Sequence, residues 1–371
     1  MKATSAPRAH RPPPKVVITG GCGFIGSNLA NELAERGEEV VVFDSLARRG
    51  AQENAGWLKV RWRDRVTVVT GNVCDRSALW RELRNAKAVL HLASQVAVTT
   101  SLEDPLEDFA VNAQGSLNVL EGVRRHSPAA PVIFASTNKV YGKVIGEDQL
   151  ARRGQRYEPC DEHLRRGLAE DSPLDFYSPY GCSKGAADQY VRDYARVFGL
   201  RTVVLRMSCI YGTRQFGTED QGWLAHFLLR AVHDEPIVIY GDGYQVRDAL
   251  FVDDAVAAWL GALDRIDAVS GRIFNLGGGP ANTTSLLEAI ELIAEIRGRS
   301  PQLKFASWRP GDQPWYVSDT RAISAALDWC PRTSLDRGLR KLHHWIRERF
   351  CESERPRAPR HLHRADLAVS R

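Results

Sequence analysis

The residues best equipped for chemistry are Tyr180 and Lys184, in the run Tyr180-Gly181-Cys182-Ser183-Lys184. Four residues apart at the start of a helical pattern, a phenol and an ammonium project from one helix face. A positive charge beside a tyrosine lowers the pKa of its hydroxyl, so Tyr180 can take a proton from an alcohol. Thr137, in Ser136-Thr137 at the end of an apolar run, adds a hydroxyl able to bridge the alcohol oxygen and Tyr180. Removing the proton is half of an alcohol oxidation, and the hydride needs an acceptor. On a helix surface without such an acceptor the same pair would be unremarkable.

Thr19-Gly20-Gly21-Cys22-Gly23-Phe24-Ile25-Gly26 supplies the place for one. It follows the apolar run Lys15-Val16-Val17-Ile18 and precedes a helical pattern. Gly20, Gly23 and Gly26 have the spacing of a dinucleotide loop: a tight turn, bare backbone for a pyrophosphate, and close helix packing. A second apolar run ends at Asp44, about twenty residues on, where a carboxylate can accept both hydroxyls of an adenosine ribose. That favours NAD over NADP, although Arg48 and Arg49 could bend back to hold a 2′-phosphate.

The elements that must carry these residues alternate from Lys15 onward. Strands are expected at 15–19, 39–43, 66–70, 88–92, 132–135 and 202–206, with helices near 25–36, 77–84, 106–125 and 179–198. This is an α/β fold, a doubly wound parallel sheet with a smaller mixed α/β substrate domain after it. Further strands are expected at 237–239 and 249–251, a helix at 253–263, and a capping box at Ser285-Leu286-Leu287-Glu288 opening a helix through Ile296. The division expected is a disordered basic tail (1–14), a dinucleotide domain (15–206 with about 237–263), a smaller substrate domain (about 207–236 with 264–350) and a flexible tail (351–371). The long polar stretch between Lys143 and Ser178 interrupts the sheet pattern and is expected to cover the substrate.

The chain has 371 residues, enough for a large core. No apolar run is long enough to cross a bilayer, and Pro12-Pro13-Pro14 stands where a leader would be apolar, so a cytoplasmic protein is expected. Seven cysteines without a C-x-x-C pair suggest neither a disulfide framework nor a metal site. The net charge of +5 comes from the ends, where Arg8, Arg11, Arg355, Arg357 and Arg360 stand. Solvated tails explain that better than nucleic acid.

Together, the glycine loop, His91-Leu92-Ala93, Ser136-Thr137 with Val140-Tyr141-Gly142, Tyr180-x-x-x-Lys184, Arg206 before Tyr211-Gly212, and Val246-Arg247-Asp248 before Val252-Asp253-Asp254 resemble the extended short-chain dehydrogenases that act on nucleotide sugars. The runs Ser136-Thr137-Asn138-Lys139-Val140-Tyr141-Gly142, Ser178 to Tyr190, and Arg214-Gln215-Phe216 with Asp220-Gln221-Gly222-Trp223 resemble the CDP-paratose 2-epimerase (CDP-tyvelose epimerase) subfamily more closely. The resemblance implies tightly held NAD, contacted by Gly20, Gly23, Phe24, Ile25, Gly26, Asp44, Asn72, Val73, Leu92 and Ala93 as well as Tyr180 and Lys184. It implies catalysis by Thr137, Tyr180 and Lys184, and substrate contacts from Asn138, Ser208, Arg214, Gln215, Arg247 and Arg309, the two last toward a diphosphate. The 4,6-dehydratases of the fold carry Asp-Glu after the threonine, as acid and base for losing water; Asn138-Lys139 removes both. Asn72 stands where an Asp usually meets the adenine, and Ser208 replaces a common Asn. The reaction implied is inversion of a sugar carbon by transient oxidation and re-reduction, in a homodimer. A 4-epimerase of UDP- or dTDP-hexoses, a net dehydrogenase, and a non-catalytic NAD-sensing scaffold remain as alternatives.

Overall fold

Val16, Val17 and Ile18 are consecutive β-branched residues, and all three are buried. A strand apolar on both sides needs cover on both faces, which a parallel sheet flanked by helices provides. The computed structural model describes residues 14–351 and contains that sheet. Its seven strands are β1 (Lys15–Thr19), β2 (Val40–Asp44), β3 (Val66–Thr70), β4 (Ala86–His91), β5 (Val132–Thr137), β6 (Thr202–Met207) and β7 (Arg272–Leu276). They lie in the order β7-β6-β5-β4-β1-β2-β3, all parallel. The chain runs outward from β1 through β2 and β3, then returns to lay β4 against β1. Ligands bind outside the carboxyl ends of the strands at such a reversal.

Alternate residues feed the two cores. Val16, Ile18, Val40, Val42, Ile133 and Leu205 face one side, with Leu29 and Leu33 of α1 (Phe24–Glu35). Val17, Val41, Phe43, Val132 and Phe134 face the other, with Val119 and Leu120 of α2 (Gly115–His126) and Val191 of α3 (Pro179–Phe198). Trp259 of α4 (Val252–Asp264) completes the first side. The helix expected over 106–125 is present without a break, as an α-helical turn (Pro105–Phe109), a π-helical turn (Ala110–Gln114) and then α2. The Ser116 hydroxyl donates to the Asn112 carbonyl at 2.5 Å, and the Asn112 amide reaches Asp108 and Ser183 at 3.0 Å each. Polar side chains thus compete with the regular ladder there.

The two strands of the stretch 237–263 that was expected with the dinucleotide domain pair elsewhere. The strand Ile237–Tyr240 pairs with Leu303–Ala306, and Val246–Phe251 pairs with Cys209–Tyr211, Thr283–Ser285 and Trp315–Tyr316, all outside the main sheet. The seventh main strand is instead Arg272–Leu276, beside β6. Ser285 caps Leu286–Arg297 as expected, with Glu288 N donating to Ser285 Oγ at 3.1 Å and Ser285 N to Glu288 Oε2 at 2.8 Å. The terminal tails, with their clustered arginines, lie outside the described residues. Among the described residues no helix is long and apolar enough to cross a membrane.

One buried ion pair ties α3 to the sheet. Arg206 is 2% exposed and Asp188 fully buried; Nε meets Oδ2 at 2.9 Å and Nη2 meets Oδ1 at 3.0 Å. Ser136 Oγ donates to Asp188 at 2.7 Å, and Arg206 Nη1 donates to the Tyr141 hydroxyl at 3.0 Å, which in turn donates to Asn275 Oδ1 at 2.7 Å. Strands β5, β6 and β7 and helix α3 therefore share one network. Replacing Asp188 with Asn strips a buried guanidinium of its counter-charge and costs about 3–5 kcal/mol of stability in urea unfolding. The apolar double replacement Arg206→Met with Asp188→Leu recovers a large part of that loss.

Candidate active site

A cleft of about 890 Å³ opens where the sheet reverses. Its floor is the glycine loop. Gly20 has φ +69°, and a Cβ there would lie 2.6 Å from Ala93 N. A Cβ on Gly26 would lie 2.5 Å from Gly20 O, so neither position admits a side chain. Helix α1 starts at Phe24 with Gly23 as N-cap and no side-chain cap, so the first amides of α1 remain for an anion. Asp44 closes the adenosine side: Oδ2 accepts from Cys22 N at 2.9 Å and Oδ1 from Leu46 N at 2.8 Å. Burial raises its pKa, and those backbone bonds oppose the rise. Lone pairs are left for ribose hydroxyls. Uncapped amides, side-chain-free glycines and a carboxylate at the second strand fit a dinucleotide such as NAD.

The structure brings most of the expected residues to this cleft. Gly20, Gly23, Phe24, Ile25, Gly26 and Asp44 line it on one side, and Asn72, Val73, Leu92 and Ala93 border the same half. Asn72 Oδ1 already accepts from Cys74 N at 2.9 Å, with a second lone pair remaining. Thr137, Tyr180 and Lys184 line the middle, and Ser208, Arg214 and Gln215 the far half. Three expected substrate residues are elsewhere. Asn138 is buried behind Thr137, accepting from the Thr137 hydroxyl at 3.4 Å. Arg247 is buried against Asp312 at 2.7 Å. Arg309 stacks on Tyr240 at 3.7 Å and pairs with Glu219 at 2.9 Å. None of the three lines the cleft.

At the centre, Tyr180 shares a hydrogen bond with the Thr137 side chain. Burial pushes the Tyr180 hydroxyl up to about 12 and the Lys184 ammonium down to about 7. Lys184 Nζ donates to Ala135 O at 2.6 Å and sits 4.3 Å from the centre of the Phe134 ring. To the expected cation Lys184 the structure adds Arg48, whose charge acts on Tyr180 to lower it, while burial drives Lys184 itself toward neutrality.

Arg48 was weighed in the sequence only as a partner for a 2′-phosphate. It crosses the cleft instead, and its guanidinium meets the Gln221 side chain on the far loop. Next to it, Gly50 (φ +81°) has the Phe216 ring in the space a Cβ would fill, and Phe216 in turn packs edge-on against Trp345 at 5.5 Å. No local pattern announces a contact between residues so far apart in sequence. The segment from Lys143 to Ser178 was expected to cover the substrate, yet none of it lines the cleft. It is pinned elsewhere. Arg156 holds Glu288 through two bonds of 2.7 and 2.6 Å, and Leu168 joins Val317 and Asp319 at 2.8 and 2.9 Å. Its apolar residues are also occupied there, around Trp315 and Tyr316.

A family model described as the NAD dependent epimerase/dehydratase family matches residues 16–277. The chain belongs to this family. Its cofactor is therefore NAD, and the protein is an enzyme. Within the epimerase/dehydratase family it is similar to a CDP-paratose 2-epimerase of Salmonella typhi, 41% identical over 338 residues that cover 89% of this chain and 98% of the relative. Among solved structures it is similar to a UDP-glucose 4-epimerase of Thermus thermophilus in complex with NAD, with TM-score 0.75 and 31% identity, covering 90% of this chain and 99% of that one. A UDP-glucuronic acid 4-epimerase of Bacillus cereus in complex with UDP-glucuronic acid and NAD gives TM-score 0.78 at 26% identity, covering 91% and 100%.

Burying Lys184 carries a cost with a definite pH signature. Its folded pKa of about 7 lies below the ordinary 10.5, so the unfolded chain binds a proton that the folded chain sheds between those values. Stability of the cofactor-free protein rises with pH across that window. The Lys184→Met variant lacks this dependence. In urea unfolding, its advantage over wild type is largest below pH 7 and shrinks toward pH 10.

Proposed function

We propose that the protein is a nucleotide-sugar epimerase of the CDP-paratose 2-epimerase type, with Thr137, Tyr180 and Lys184 as its catalytic residues. The observation that carries this reading is the composition of the cleft centre: the three residues converge beside the cofactor loop, while Asn138 and Lys139, the next two after Thr137, provide no carboxyl pair for eliminating water. Identity of 41% along nearly the whole of a CDP-paratose 2-epimerase supports it. In this reading the dinucleotide unit comprises the seven-stranded sheet with its helices, including Arg272–Leu276. The smaller sheets around Val246–Phe251 form the substrate unit.

NAD, when bound, supplies a nicotinamide able to take a hydride from a sugar carbon and return it. The protein's part is proton control and placement. As the phenolate, which the Arg48 guanidinium, a protonated Lys184 and a cationic oxidised cofactor favour over the neutral phenol, Tyr180 would take the proton of the sugar hydroxyl, through or beside the Thr137 hydroxyl, and give it back when the hydroxyl re-forms. If the sugar is 3-deoxy and inverted at C2, oxidation has to occur at C2 itself. A ketone at C4 would acidify only C3 and C5 and could not assist. The cleft volume lies at the upper end for ligand sites, as needed for cofactor and sugar nucleotide side by side.

Purified protein incubated with CDP-paratose, UDP-hexoses and dTDP-hexoses without added NAD should convert CDP-paratose to its C2 epimer, detected by NMR. A C4 epimer from a UDP- or dTDP-hexose would replace the assignment with a 4-epimerase, and no epimer from any substrate would sink both. Tyr180→Phe should lower turnover by about a thousandfold while the protein still carries NAD; an NAD-sensing scaffold would keep its behaviour unchanged.

We further propose that the enzyme is a homodimer through the helices ending at Glu103 and Phe109 and through α3. Supporting this are exposed apolar side chains on those elements, with Leu106 83%, Val197 62% and Phe109 56% exposed, an unusual concentration for a monomer surface. Sedimentation velocity should show a dimer for wild type and a monomer for Leu106→Glu.

A further inference from the structure

The wall behind Thr137 holds one cation more than it can pair. Lys139 is partly buried, and its ammonium donates to Gln313 Oε1 at 3.2 Å and to Gly311 O at 3.5 Å, both neutral acceptors. The nearby carboxylate, Asp312, is already held by Arg247 at 2.7 Å and accepts from Gln313 N at 2.9 Å. The charged and titratable groups facing Lys139 are Arg247 from Val246–Phe251, Asp312 from the loop before Trp315, and Cys209 from Cys209–Tyr211. Among the described residues Lys139 forms no ion pair. Two cations and one carboxylate therefore lie together, walled in beside Thr137 and Cys209, which both line the cleft. Burial and the Arg247 charge push Lys139 down to about 8, so it keeps its proton at neutral pH against a cost. A half-enclosed cluster with an unbalanced positive charge is poised for an anion.

We propose that Lys139 is a substrate-binding residue that, together with Arg247, receives the diphosphate of the nucleotide sugar. The inference rests on the nucleotide-sugar reading given above and adds to it a residue that the motif comparison valued only for the dehydratase carboxylate it displaces. An ammonium is a mobile point charge and a guanidinium a fixed fork, a pairing that suits the several oxygens of a diphosphate. Arg309, the other arginine expected to serve the phosphates, does not line the cleft and is engaged by Glu219, Asp220 and Tyr240. Arrival of the anion neutralises the excess charge and raises the Lys139 pKa, so binding above pH 8 draws a proton from solvent.

The test is calorimetric titration of the NAD-loaded protein with CDP, with UDP and dTDP as companions, at pH 7 and pH 8.5 in buffers of different ionisation enthalpy. Wild type should take up a fraction of a proton on binding CDP at pH 8.5, and Lys139→Met should bind about tenfold more weakly at pH 7 with NAD content unchanged and a melting temperature no lower than wild type. Lys139→Arg should retain affinity and lose the proton uptake. Equal CDP affinity in Lys139→Met and wild type would overturn the proposal. Should Lys139→Met fail to fold, equal proton uptake by wild type and Lys139→Arg would overturn it as well. Failure of wild type to bind CDP, UDP or dTDP at all would instead remove the nucleotide-sugar reading beneath it.

Discussion

The interaction on which the rest of the site depends is the ion pair between Arg206 and Asp188. Sealing two full charges away from water is tolerable only when every donor and acceptor finds a partner. Here Ser136, Tyr141, Glu170 and Asn275 complete the set. Because Asp188 lies one helical turn beyond Lys184 and two beyond Tyr180, the pair fixes both the rotation and the height of α3 against β5 and β6. The spacing of the proposed catalytic residues is therefore set from behind, by a pair of side chains that do not line the cleft.

That fixity allows burial to act on Tyr180 and Lys184, which are both driven toward their neutral forms, the phenol upward and the amine downward. Charge on either is costly in the empty cleft and is relieved by a ligand of opposite charge. The same logic extends along the wall to Lys139. In each case the low-dielectric surroundings that make the charge expensive also make its partner's arrival count for more.

What was legible in the sequence is what local rules dictate. The glycine loop, Asp44, the capping box at Ser285 and the alternation of strands and helices each depend on neighbours within a few turns of chain. Strands Ile237–Tyr240 and Arg272–Leu276 show the limit. Both are short and apolar, and which one joins the main sheet is decided by a partner strand far away. The same holds for the Lys143 to Ser178 segment, whose polarity suggested a cover over the substrate but whose Arg156 and Leu168 are held by Glu288, Val317 and Asp319, far along the chain. Asn138, Arg247 and Arg309 were identified by motif, and a motif does not announce the protein partners that each side chain has in the structure, Thr137, Asp312 and Glu219 in turn. Arg48 was visible as a basic residue near the cofactor loop. Its reach to Gln221 was not, since the two are 173 residues apart.

The contact between Gly50 and Phe216 gives the molecule a mechanical property that no single element possesses. The bare glycine lets one aromatic ring sit against the loop that follows Asp44, while the ring's other sides meet Trp345 and Phe350 near the end of the described chain. The loop that follows Asp44 and the helix Leu335–Ile346 are thus packed against one ring, so a substitution that removes the Phe216 ring loosens both contacts at once.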